Sequence, residues 1–259
     1  MSFEVDAGAY GAFMGRYSEP LADAVIRYVG VAPGQRAADI GCGPGVVTVR
    51  LVALLGADHV VAIDPSESFV AAAEERCPGV DIRTGVAERL PWDDDSVDVA
   101  VAQLVVAFMR DPVVGLEEMA RVTRPGGTVV ASMWDLAGGR APLSPLWRAA
   151  STLWPGTRDE SWRPGASQGD LERLMAKAGL REVTGTEMTV RAEYASFEDW
   201  WTPYTFRVGP SGDFVASLSD GDRNALAQRC RELLPQPPFG IDATAWVATG
   251  RPGPVPSLD

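Results

Sequence analysis

Ala38-Asp39-Ile40-Gly41-Cys42-Gly43-Pro44-Gly45 is the stretch on which the fold of this chain turns. Residues 35–40 read as a short buried strand and residues 46–55 as a helix, so three alternating glycines fall at a strand-to-helix junction. Glycine adopts backbone conformations closed to other residues and lets a ligand approach the chain without meeting a Cβ. The first N–H groups of a helix have no partner within it, and here they are expected to point at that ligand.

Spacing separates two kinds of nucleotide site. A dinucleotide-binding turn reads G-x-G-x-x-G. Gly41, Gly43 and Gly45 give G-x-G-x-G, and Val46 stands where the last dinucleotide glycine would be. Residues 59–63 form a second apolar run, with Asp64 at its C-terminal end, 23 positions past Gly41. A carboxylate there can accept two hydrogen bonds from ribose hydroxyls. The other reading is a cap on the helix that Pro65 and Ser66 begin, and the pairing with the glycine turn favours the ribose role. That helix, over 67–76, ends before Pro78-Gly79, and residues 80–83 make a third short strand.

Next comes Gly85-Val86-Ala87-Glu88-Arg89-Leu90-Pro91-Trp92, which leads to Val97-Asp98. Residues 97–102 are a near-continuous apolar run, as in a strand of a parallel sheet. Gln103 lies just past its C-terminal end, the edge where open α/β sheets bind ligands, although a glutamine there can also cap a turn or helix. A helix follows Asp111-Pro112, with Val113, Leu116, Met119 and Val122 at helical spacing. Arg124-Pro125-Gly126-Gly127 then turns into a fifth strand over 128–134. Upstream, residues 1–17 are rich in glycine and aromatics. Ser18-Glu19-Pro20 reads as a helix start with Ser18 as N-cap, and the helix runs to Gly30.

The glycine turn with Asp39, the 85–98 segment and the Arg-Pro-Gly-Gly turn together resemble the class I methyltransferases that use S-adenosylmethionine (SAM), in particular the ubiquinone-biosynthesis-methyltransferase-like group. The resemblance covers roughly residues 10–135. It implies a Rossmann-like α/β fold with a seven-stranded, mostly parallel sheet. The last strand, over 242–249, would insert antiparallel between strands five and six. It also implies SAM as cofactor. Asp39, Gly41, Cys42, Gly43 and Gly45 would surround it, and Asp64 and Pro65 would lie at its ribose. Gln103, with Leu104 and Val105, would lie near the sulfonium and the acceptor. Val86 stands where the family commonly places an Asp that reads the adenine amino group, so the adenine cover passes to Ala87 with Glu88. Tyr10, Arg16 and Tyr17 would help close the pocket; the other reading makes the lead-in a packing arm with Arg16 facing solvent.

The remaining half is less legible. Residues 136–165 are rich in Pro, Gly and Trp. A helix over 170–178 precedes a sixth strand over 183–194, and residues 197–237 bring Trp200-Trp201, Tyr204, Phe206 and a helix over 222–234. The expected organisation is a lead-in over 1–30, a SAM-binding core over 31–135, the rest of the sheet with cap insertions over 136–250, and a disordered tail over 251–259. Both aromatic-rich inserts follow strand five, so they can reach over the ligand edge. A cap of Trp and Tyr would suit an apolar or aromatic small molecule, although any single ring is better read as core.

Bulk properties narrow the partners. At 259 residues the chain is long enough to bury a sizeable core. A net charge of −12 leaves no basic footprint, which argues against nucleic acid. The most apolar stretch, 97–109, is short and broken by Asp98 and Gln103, so no membrane span is expected. The first residues carry acid where a secretory leader carries base. Cys42, Cys77 and Cys230 are far apart with no metal spacing, which suits free thiols in a reducing cytoplasm and no metal.

Methyl transfer from a sulfonium is an in-line displacement, so the protein must mainly place the nucleophile and exclude water. A base is needed only if the nucleophile arrives protonated. His59, the sole histidine, falls at the start of strand two, far from the ligand edge. Tyr17, Tyr204 or Glu88 could act as base, and the sequence singles out none of them as catalytic. The reading is therefore a SAM-dependent methyltransferase acting on a small molecule. The alternatives are an NAD(P)-binding Rossmann oxidoreductase, which Val46 and the later motifs oppose, and a SAM-binding protein without activity.

Overall fold

The computed structural model describes Gly8 and residues 11–253; the expectations for Tyr10 and for residues 254–259 lie outside the described residues. Strands β1 (Ala37–Ile40) and β2 (Val60–Asp64) are fully buried and β4 (Val97–Gln103) nearly so, β5 (Thr123–Trp134) is buried from Val129 onward, and the edge strand β3 (Asp81–Thr84) is mostly exposed. They pair in parallel. Two longer strands, β6 (Arg181–Tyr194) and β7 (Phe239–Arg251), complete a seven-stranded sheet in the order β3-β2-β1-β4-β5-β7-β6. As the resemblance implies, β7 lies between β5 and β6 and runs antiparallel to both.

The order reverses between β1 and β4, so the chain leaves these neighbours in opposite directions and a crevice opens at their C-terminal ends. Helices α1 (Arg16–Val29), α2 (Val46–Leu55), α3 (Glu67–Arg76) and α4 (Pro112–Val122) accompany the parallel half. Their ends follow local chemistry. The Ser66 hydroxyl caps α3 at the Phe69 N–H. The Asp111 carboxylate accepts from Val113 and Val114, with Pro112 in the first turn of α4.

Several expectations need correction. Helix α1 does not start at Ser18. A π-helical turn over Gly11–Gly15 runs directly into it, so the first N–H groups need no side-chain cap, and Ser18 sits inside the helix, buried. Strand β5 begins at Thr123, and the Arg124–Gly127 turn is an irregularity within it, where the pairing with β4 shifts between Val97 and Val99. Arg251 closes β7 instead of opening a tail, and its guanidinium donates to the Gly126 carbonyl at 2.7 Å.

Two helices had been hidden in Pro- and Gly-rich sequence, α5 (Ser144–Leu153) and, further on, α8 (Gly209–Ser217). In both a proline occupies the first turn, where its missing N–H costs nothing. Helices α6 (Asp170–Lys177), α7 (Phe197–Trp201) and α9 (Asp220–Leu233) complete the second half. Here most of the aromatic rings pack on one another. Trp200 meets Tyr204 at 4.8 Å and Trp147 meets Phe214 at 5.1 Å between ring centroids. Burial of such rings is worth a few kcal/mol each, so this cluster holds the cap together.

Candidate functional site

The crevice at the switch point is the main cleft, with about 950 Å³ of empty space. Its floor is the glycine turn and the ends of β2 and β4: Gly41, Gly43, Asp64, Pro65, Gln103 and Leu104. A narrower recess of about 320 Å³ continues under the turn, shares Gly41, Gly43, Gln103 and Leu104, and adds Ser18, Asp39, Cys42, Val46 and Val47. Nine of the sequence-derived candidates thus converge on one place: Asp39, Gly41, Cys42, Gly43, Asp64, Pro65 and Gln103, with Leu104 and Val105.

The donors of the turn itself are taken up within the protein, ahead of the first N–H groups of α2. The Gly41 and Cys42 N–H groups both donate to the Ile63 carbonyl, at 2.8 and 3.0 Å, and Gly45 donates to Cys42 O at 3.0 Å. The Gly43 N–H donates to Asp64 Oδ2 at 2.8 Å. The adjacent β2 reaches far enough to take up these groups, so the turn is locked to β2 before any ligand arrives. What the glycines supply is room. A Cβ on Gly41, where φ is +70°, would come within 2.5 Å of Val105 Cγ2. A Cβ on Gly43, at φ +54°, would meet nothing within 4 Å, because that side faces the cleft. Gly45, at φ +83°, instead abuts Ala73 of α3.

Two buried carboxylates frame the turn. Asp39 accepts from Thr48 Oγ1 at 2.6 Å at the start of α2. Burial pushes its pKa up to about 7, Thr48 opposes the rise and the Asp64 charge adds to it. Asp64 is held at both oxygens, Oδ2 by Gly43 and Oδ1 by the Ser66 N–H at 2.9 Å. Burial raises its pKa too, against those two donors. Each oxygen keeps a lone pair for a further donor, so helix-side bonding and ligand contact are compatible. Leu104 turns the chain out of β4 with a left-handed backbone, φ +63°, a strained conformation of the kind that collects at functional sites.

Several polar atoms here lack partners. Gln103 Nε2 donates to Ser18 O at 3.0 Å, while Gln103 Oε1 and the Ser18 hydroxyl are buried with no hydrogen bond. Trp134 Nε1, Glu160 Oε2 and Ser211 Oγ, on residues that also line the cleft, are in the same state. Buried polar groups without partners are uncommon, and five of the ten such atoms among the described residues lie on residues that line the cleft or its recess.

Other candidates lie elsewhere. Glu88 accepts from the Arg110 and Asp111 N–H groups at 2.6 and 3.0 Å, which ties the loop before α4, and neither it nor Ala87 lines the cleft. Arg16 binds Asp199 and the Glu193 carbonyl, so it fastens α1 to the second half of the chain and neither lines the cleft nor faces solvent freely. Tyr17 is buried and accepts a hydrogen bond from the Tyr194 hydroxyl at 3.0 Å. Burial drives the pKa of Tyr17 and Tyr204 far upward, so neither phenol ionises near neutral pH. His59 ends a short turn before β2, at the opposite end of that strand from Asp64.

Sequence reasoning missed Phe13, Met14, Phe69, Phe108, Glu160 and Ser211 as cleft residues. Phe13 and Met14 stand beside the lead-in residues that were singled out. Phe69 lies one helical turn past Asp64-Pro65. Glu160, amid Arg158-Asp159-Glu160-Ser161-Trp162-Arg163, looks like part of a solvated charge run. The expected Trp and Tyr lining is also corrected: the cleft's rings are Phe13, Phe69, Phe108 and Trp134, because the inserts' own rings are spent on one another.

Among the described residues no group of three or more His, Cys, Asp or Glu side chains could hold a metal ion, and no helix is long and apolar enough to cross a membrane. Comparison with known proteins agrees with the geometry. The family model described as a methyltransferase domain matches residues 38–131. A demethylmenaquinone methyltransferase of Beutenbergia cavernae is 38% identical over 181 residues, which covers 64% of this chain and 74% of that protein. This chain belongs to the class I SAM-dependent methyltransferases. An uncharacterized 37.1 kDa protein from a Streptomyces fradiae transposon is 31% identical over 229 residues, 86% of this chain and 64% of its own length. The chain thus spans somewhat less than two thirds of that relative. A solved phosphoethanolamine-type N-methyltransferase of Haemonchus contortus, in complex with S-adenosylhomocysteine, shares the fold at 18% identity with a TM-score of 0.60; the match covers 95% of this chain and 57% of that one. The chain carries the family's methyltransferase domain, and it spans about half the length of several of the curated relatives it matches.

Proposed function

We propose that the chain methylates a small, largely apolar acceptor held in the main cleft, with SAM seated across the glycine turn. The observation that carries this reading is the junction of two unlike environments. A polar recess under the turn opens into a chamber walled by Phe13, Phe108, Leu136, Leu143 and Val208. SAM, when bound, supplies a methyl group on a sulfonium that is already activated for in-line displacement.

The residues present fit that group. In this reading Asp64, held by Gly43 and Ser66, accepts the ribose hydroxyls, and Pro65 and Phe69 flank the nucleoside. Gln103 Oε1 accepts from the amino-acid ammonium and the Ser18 hydroxyl donates to its carboxylate, which satisfies two orphaned atoms. Gly43 permits the close approach, and Asp39 keeps the start of α2 in place through Thr48. Phe13 and Met14, at the π-helical turn, help exclude water from the reacting atoms. The lead-in over 1–30, the core over 31–135 and the cap-bearing remainder over 136–250 are the working divisions of this arrangement.

A small acceptor also accords with the net charge of −12, which repels nucleic acid. Demethylmenaquinone, from the name of the Beutenbergia relative, is one acceptor of this class to test. Incubation with methyl-labelled SAM and a metabolite extract should move label into an organic-extractable small molecule. Label retained wholly by SAM, or found only in protein or RNA, would contradict the proposal.

A further inference from the structure

Glu160 and Ser211 come from separate parts of the cap, the first from the loop between α5 and α6 and the second from the first turn of α8, yet both line the main cleft. Glu160 is 6% exposed and Ser211 1%. Glu160 Oε1 accepts from Arg163 Nε at 2.9 Å, whereas Oε2 is buried and closes no hydrogen bond of normal geometry. The Trp147 indole lies near enough to favour the charged carboxylate without completing such a bond. The Ser211 hydroxyl is likewise buried and unpartnered. Two buried polar atoms without a full hydrogen bond, on residues that border an apolar chamber, cost folding free energy unless something else repays them.

We propose that Glu160 and Ser211 are the acceptor's polar anchor and select a molecule with a hydroxyl or ammonium group on an apolar or aromatic body. This rests on the methyltransferase reading above and adds the headgroup that the acceptor must carry. The carboxylate has only acceptor atoms, so its partner must donate. Arg163 engages Oε1 and the Ala107 carbonyl and does not line the main cleft, so Glu160 is the charged group presented there by the cap. Burial raises the Glu160 pKa, against Arg163, and a donor from the acceptor would oppose that rise as Arg163 does. A carboxylate-bearing ligand would meet repulsion at the same point.

Calorimetric titration tests this with three probes that share one ring system: 1-naphthol, 1-naphthylmethylamine and 1-naphthoate. They are titrated at pH 8 into protein saturated with S-adenosylhomocysteine. The naphthol and the amine should bind at least tenfold more tightly than naphthoate. Glu160→Gln should cut that preference below threefold, and Ser211→Ala should weaken naphthol severalfold, with S-adenosylhomocysteine affinity unchanged in both. Naphthoate binding as tightly as the donors, no binding by either donor, or full preference in both variants overturns the anchor while the methyltransferase reading stands. Failure of the wild-type protein to bind S-adenosylhomocysteine overturns both.

Discussion

At the scale of single residues, the turn separates two roles that sequence alone gives to all glycines alike. Gly41 is confined by Val105 and Gly43 is open to the cleft. Gly41→Ala should therefore destabilise the protein by roughly 2–5 kcal/mol, from left-handed backbone strain and overpacking together. Gly43→Ala should cost only about 1–2 kcal/mol, the backbone term, yet weaken S-adenosylhomocysteine binding at least tenfold. Chemical denaturation and calorimetry on the pair distinguish the roles, and equal stability losses would contradict the assignment. Asp39 provides a pH test. Its folded-state pKa, near 7, lies above the ordinary carboxylate range, so the folded state holds a proton that the unfolded chain releases. Its contribution to stability is greatest in acid and is lost as pH rises from about 4 to about 7. Asp39→Asn should remove that loss, and its stability relative to wild type should improve by a few kcal/mol, on the order of 2–4, between pH 4 and pH 7.5. A difference that does not change with pH would contradict the assignment of the buried charge.

At the scale of elements, α1 is fastened to the second half of the chain by Arg16 to Asp199 and by Tyr194 to Tyr17. The Arg16 pair is about one third exposed, so its loss is modest. Arg16→Ala should cost about 1 kcal/mol or less and speed hydrogen exchange over residues 11–29, with the sheet unaffected. Tyr17→Phe leaves the buried Tyr194 hydroxyl unpaired and should cost about 1–3 kcal/mol while methyl transfer persists. Loss of activity in a folded Tyr17→Phe protein would restore Tyr17 as a base.

The parallel half was legible element by element because its strands are short apolar runs and its helices carry local start signals such as Ser66 and Asp111. The second half was not. Pro145 and Pro210 open helices but look like breakers when read singly, and the positions of β6 and β7 depend on pairing between residues 45 to 70 positions apart, from Tyr194 with Phe239 to Arg181 with Arg251. The candidate site divides in the same way. Asp64 and Gly43 could be read from spacing, whereas Glu160 and Ser211 face the cleft only because the cap folds back over the sheet. Glu88 and Arg16 looked like ligand contacts because a sequence pattern does not show which backbone groups a side chain already serves.

At the scale of the whole molecule, the proposed function gives the cofactor the end of the cleft built by the parallel half and the acceptor the end to which the cap contributes Leu136, Leu143 and Val208. A ligand that bridges them should stabilise the folded chain as a unit. S-adenosylhomocysteine at one hundred times its dissociation constant should add about 2.7 kcal/mol and raise Tm by several degrees, and NADH at the same concentration should not. The most direct test of the account is calorimetric titration of S-adenosylhomocysteine into the wild-type protein and Asp64→Ala. The account predicts one site per chain in the wild type, an affinity at least tenfold weaker in a folded Asp64→Ala variant, and no heat with NADH. Equal affinity in the two proteins, or binding of NADH in place of S-adenosylhomocysteine, would contradict it.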